Sequence, residues 1–109
     1  MAIASTTQTT HPSIPSGAWT KVTAIEGSRR KRLILLNEDP TNTFRFEICN
    51  STVAATLGAT SGLPLAPATG GVGTGGLYEE DYDNLTTEHA YVYQASGGAL
   101  TTLAVKEGV

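Results

Sequence analysis

The stretch 31-KRLILLNEDPTNTFRFEIC-49 decides how this chain is read. Its second half alternates: Phe44, Phe46 and Ile48 fall on one side of an extended chain, Arg45 and Glu47 on the other. Its first half is a short apolar run, Leu33 to Leu36, of the length that suits a strand buried on both faces. Between them, residues 37–42 (NEDPTN) are dense in turn formers. Two strand-like runs joined by a short turn are expected to form a β-hairpin.

Outward from this pair the same signals recur. Residues 18–25 (AWTKVTAI), 89–95 (HAYVYQA) and 99–105 (ALTTLAV) read as strands, the last two closing a second hairpin across the turn Ser96-Gly97-Gly98. Residues 77–82 (LYEEDY) are a weaker strand with Leu77 and Glu79 on one side, Tyr78 and Glu80 on the other. Residues 51–62 (STVAATLGATSG) could hold a weak strand or one helical turn, and 62–76 are loop-like, with prolines that would interrupt a central strand. The chain carries 17 Thr and 12 Gly in 109 residues, which favours pleated surfaces and tight turns. The expected fold is all-β: a small β-sandwich or barrel, jelly-roll-like, over residues 18–109, preceded by an extended N-terminal arm over 1–17.

Leu, Ile, Val and Phe total 23 residues, so the core is thin and the chain gains from an oligomer or a docking partner. In the arm, Pro12 and Pro15 hold the chain extended, Ile3 and Ile14 are the apolar anchors, and 17 extended residues reach about 55 Å. The arm is therefore expected to dock on a partner and to be dispensable for folding. No run approaches a membrane span, and the start lacks the pattern of a signal peptide, so a soluble protein made in a cytoplasm is expected.

No motif points to catalysis. The run 71-GVGTGG-76 matches the spacing of a dinucleotide loop but follows no strand and opens no helix, so a turn-rich loop is expected. Cys49 is the one cysteine, which leaves no intrachain disulfide and reads as a buried small side chain. His11 and His89 are the only imidazoles, too few for a multi-histidine metal site and without the arrangement of a hydrolytic triad. The sequons at Asn50 and Asn84 are chance matches in a Thr-rich chain. The expectation is a non-enzyme with no cofactor and no metal.

Charge is segregated. Arg29, Arg30, Lys31 and Arg32 are four of the seven cationic residues, while Glu79, Glu80, Asp81 and Asp83 form an acidic cluster. The acidic run could offer oxygen ligands to a hard cation, but alternation divides it between two faces, and an exposed or partner-facing edge is the better reading. Outside the basic block three cations stand against ten acids, which disfavours direct nucleic-acid binding. A positive patch and a negative patch on one chain suit contacts with protein partners, including copies of itself. The candidate partner-binding residues are Ile3, Ile14, Arg29, Arg30, Lys31, Arg32, Glu79, Glu80 and Asp81.

The succession RKRLILLN, FRFEI, GLPLAP, YEE and YVYQASGGALTTLAVKEG resembles small β-rich virion proteins of tailed bacteriophages. The likeness runs over roughly residues 18–108 and departs at 66-APATGG-71, where the loop is longer. It implies a structural role on the virion: a capsid decoration or cement protein on the outside of the head. The major capsid protein would be its partner, and self-association as a homotrimer is expected. The alternative is a tail or head-fibre protein with host-surface or glycan contact, for which Trp19, Tyr78, Tyr82, Tyr91 and Tyr93 could supply stacking surfaces.

Overall fold

The computed structural model describes residues 8–25, 30–81 and 88–108. Seven strands follow in the order β1 (Thr20–Lys21), β2 (Arg32–Asn37), β3 (Phe44–Cys49), β4 (Leu63–Leu65), β5 (Leu77–Asp81), β6 (His89–Tyr93) and β7 (Leu103–Gly108), with one helical turn, α1 (Ser51–Ala54), after β3. They form two antiparallel sheets, β1-β6-β3-β4 and β5-β2-β7. The fold is all-β, and its core lies between the sheets: Phe44, Phe46, Leu65, Ala90 and Val92 from one, Leu33, Leu35, Leu103 and Val105 from the other. Each Leu, Val or Phe among them contributes about 1.5–3 kcal/mol by leaving water.

Neither expected hairpin forms. β2 and β3 belong to different sheets, and so do β6 and β7. Residues 38–43 carry the chain from one sheet to the other around Asp39. Its Oδ1 accepts from the backbone N–H of Thr41 (2.9 Å) and Asn42 (2.7 Å), and its Oδ2 from the Thr102 hydroxyl (2.7 Å). Asn37, fully buried, donates from Nδ2 to the carbonyls of Asn42 and Leu65 and accepts from the Asp39 N–H. A crossing loop fastened by buried side chains stands where the hairpin turn was expected.

The second hairpin is displaced by the N-terminal arm. Thr10 bridges Val105, Ile14 bridges Leu100 and Ser16 bridges Gln94. Ile14 and Leu100 exchange backbone hydrogen bonds of 2.8 and 3.0 Å, and Gly17 N–H donates to the Gln94 carbonyl. The arm thus takes the backbone groups that 94–100 would have offered to a hairpin partner. Ile14 is 0 % exposed and belongs to the core. This corrects the reading of residues 8–17 as a segment ordered by a partner, and of Ile14 as a docking anchor. Ile14, flanked in sequence by polar residues and prolines, is buried in the shared core beside Leu100.

β2 is not buried on both faces. Leu33, Leu35 and Asn37 point inward at 0 % exposure, whereas Arg32, Ile34 and Leu36 point outward and are half-buried. β4 carries Pro64 and is an edge strand, where a missing N–H costs no ladder bond. Asn50 caps α1, its Oδ1 accepting from the Val53 N–H at 2.9 Å, which gives that residue a local structural use.

The glycine run ends in a close backbone crossing. A Cβ on Gly76 would meet Ala66 N at 2.6 Å and the Leu65 Cα at 2.7 Å, and one on Gly75 would strike the Asn37 carbonyl. Gly76 N–H donates to the Ala66 carbonyl while its own carbonyl accepts from Asn37 N–H. Gly76→Ala is therefore expected to destabilise the domain by about 1–3 kcal/mol, measured by urea unfolding, while Gly98→Ala, with open space at its Cβ, stays near wild type.

Candidate functional site

The outer face of the β5-β2-β7 sheet brings Arg32, Glu79, Asp81 and Lys106 together with an apolar row. Register sets it out in rows. Leu36 lies between Leu77 and Ala104; Ile34 between Glu79 and Lys106; Arg32 between Asp81 and Gly108. The first row is apolar. The second places opposite charges on either side of Ile34. In the third, Arg32 forks: Nη1 donates to Asp81 at 2.9 Å and Nη2 to Glu79 at 2.8 Å. Leu77 is 59 % exposed, as Leu63 on the edge strand β4 is at 62 %, and Leu77 lies in the row of Leu36 and Ala104. Across β2 from Leu77, a groove of about 290 Å³ is lined by Thr9, Ile34, Leu36, Glu38, Ala104 and Lys106. Its far wall is held by His11, whose Nε2 lies 2.7 Å from the Glu38 carboxylate.

The basic and acidic patches singled out in the sequence thus meet within one chain. Arg32 with Glu79 and Asp81 is a partly exposed network, each pair contributing about 0–1 kcal/mol. Glu80 turns to the inner side, where it accepts from the Tyr78 hydroxyl; the Tyr78 ring packs on Phe46 with centroids 4.5 Å apart. Arg30 is not a surface cation: it is 0 % exposed, and its Nη2 donates to the Glu88 carbonyl at 2.7 Å. Lys31 is exposed, and its backbone N–H donates to the Gly108 carbonyl. Ile3 and Arg29, like Tyr82 and Asp83, lie outside the described residues. The apolar run reads as buried on both faces, which hides Ile34 and Leu36 in the sequence, while Leu77, Ala104 and Lys106 join them only through the pairing of β5 and β7 with β2. The available signal was Leu77, an apolar residue in step with Glu79 and Asp81.

The outer face of the other sheet is differently built. Trp19 and Tyr93 rings stand 5.5 Å apart. Trp19 Nε1 donates to the Gly58 carbonyl, and the Arg45 guanidinium donates to the carbonyls of Thr60, Ser61 and Gly62. Both side chains fasten the 58–62 loop. A shallow groove beside them is lined by Thr43, Arg45, Ala59, Tyr93, Gln94 and Ala95.

The remaining titratable groups are structural in placement. Burial raises the Asp39 pKa, but hydrogen bonds from Thr41, Thr102 and Asn42 outweigh it and hold the carboxyl at about 2. Burial, then the negative charges of Glu47 and Glu88, push the Cys49 thiol up, which disfavours the reactive thiolate. His89 Nδ1 lies 2.7 Å from the Thr23 hydroxyl. Glu107, 5 % exposed, accepts from the N–H groups of Ala24 and Ile25 and so ties the chain after β1 to β7. Among the described residues no three His, Cys, Asp or Glu side chains are grouped to hold a metal ion, and no helix is long and apolar enough to cross a membrane.

Comparison with protein-family models, with curated proteins and with solved structures finds no match to this chain.

Proposed function

We propose that this chain is a structural virion protein, a decoration or cement protein bound to the outside of a tailed-phage head, with the major capsid protein and copies of itself as partners. The observation that carries a role in assembly is the outer face of the β5-β2-β7 sheet, where Ile34, Leu36 and the 59 % exposed Leu77 form an apolar centre rimmed by Glu79, Lys106 and Arg32. An apolar centre with a charged rim is the anatomy of a protein interface. The virion class rests on the resemblance in strand order and turn residues over residues 18–108.

Purified protein mixed with capsids stripped of decoration is expected to co-sediment saturably, at a fixed number of copies per shell. Failure to bind any capsid form overturns this reading. The Trp19–Tyr93 pair supports the second reading, a tail or head-fibre protein in contact with glycans. Labelling of intact virions at the tail in place of the head would select it.

A further inference from the structure

We propose that the outer face of the β5-β2-β7 sheet pairs with the same face of a second copy, about a two-fold axis running parallel to the strands. This deepens the assembly reading above, and it replaces the homotrimer expected from the sequence with a two-fold pair. The argument is one of register. β2 is the middle strand, with β5 on one side and β7 on the other. A two-fold axis along β2, between two stacked faces, exchanges the β5 and β7 columns and leaves each row in place. Ile34 then meets Ile34 of the second copy, and Leu36 meets Leu36. Glu79 meets Lys106, and Lys106 meets Glu79, because these two flank Ile34 in the same row. Leu77, the exposed knob, arrives over Ala104, the small residue in the floor of the groove.

An axis across the strands fails the same check. It keeps the columns and opposes Glu79 to Glu79 and Lys106 to Lys106. The self-complementarity therefore selects one orientation, as an isologous interface requires. Face-to-face sheets stack about 10 Å apart with strands within about 30° of parallel, a geometry open to this face. Arg32 approaches its own symmetry mate, but each Arg32 is already forked onto Glu79 and Asp81 of its own chain. A three-stranded face lies at the small end of specific interfaces, so the pair is a weak one that forms at high concentration or where copies are held side by side.

Sedimentation velocity on the full chain, from micromolar to near-millimolar concentration, tests this directly. A monomer–dimer equilibrium is expected. Leu77→Asp, at an exposed position, is expected to abolish the dimer without lowering the melting temperature. Lys106→Glu and Glu79→Lys, each shown folded by its melting curve, are expected to dimerise at least ten-fold more weakly alone. Mixed together they are expected to form a heterodimer, since the retained Glu79 then meets the retained Lys106 and the two substituted positions form one reversed, still opposite, pair. A monomer at every concentration, a dimer indifferent to Leu77→Asp, or no association on mixing overturns the proposal. A monomer that still binds capsids overturns the pairing alone; a dimer that binds none overturns the capsid function alone.

Discussion

Ile14→Ala is expected to cost about 2–5 kcal/mol of unfolding free energy, the range for emptying a large aliphatic site in a closed core. Ile14 is 0 % exposed and packs with residues of both sheets. Its backbone exchanges two hydrogen bonds with Leu100, and the buried Gln94 amide donates to the Ile14 carbonyl at 2.9 Å. In a domain near this size each kcal/mol moves the melting temperature by about 4–8 °C, so the variant melts well below wild type. Deleting residues 2–16 removes Ile14 together with the Thr10 and Ser16 bridges and is expected to leave no cooperative transition at room temperature. Thermal melts followed by circular dichroism check both. A deletion that melts with the full chain would restore the view of the whole arm as a docking tail.

The second large effect lies at the sheet-crossing loop. Asp39→Ala strips the acceptor from Thr41 N–H, Asn42 N–H and the Thr102 hydroxyl at a site 4 % exposed, and is expected to cost about 3 kcal/mol, since each buried donor left without a partner costs about 1–3 kcal/mol. The same network makes stability depend on acid. The folded carboxyl titrates at about 2, below its ordinary 3.8. The folded protein therefore releases this proton more readily than the unfolded chain. The stabilisation is complete above the unfolded pKa and is lost as pH falls from about 5 through 2, an amount on the order of 2 kcal/mol. Asp39→Asn keeps the shape and one carbonyl acceptor. It is expected to cost less than Ala and to remove this group's share of the slope between pH 5 and 2. Urea midpoints measured across that range for the three proteins separate these outcomes. An unchanged acid slope in Asp39→Asn would show that Asp39 is not the group responsible.

Local period was enough to place β3, β5 and β6, because alternation is written residue by residue: Phe44 and Phe46 inward with Arg45 outward, Tyr78 inward with Glu79 outward. It also carried the all-β class and the burial of Cys49, whereas 63–65, read as loop, form the edge strand β4 with Pro64 in it. For the candidate site it supplied the charges Arg32, Glu79 and Asp81 but assigned them to separate surfaces.

What the chain determined by itself is that the alternating segments β3, β5 and β6 extend and how their residues divide between two faces, since both follow from side-chain order along a few residues; the unbroken apolar run of β2 did not say which face looks outward, and β4 carried no strand signal. Which sheet each strand joins was decided only by the tertiary structure. Residues 37–42 carry turn signals that fit a hairpin and a crossing equally; buried Asn37 and Asp39, bonded to residues as distant as Leu65 and Thr102, choose the crossing. Ile14 has no periodic neighbours to announce it, and its burial needs two sheets already in place. Arg32 meets Glu79 and Asp81 because β2 and β5, far apart in sequence, are hydrogen-bonded neighbours in antiparallel register. Pairings of this kind depend on contacts that exist only after the chain has closed on itself, and no local pattern encodes them.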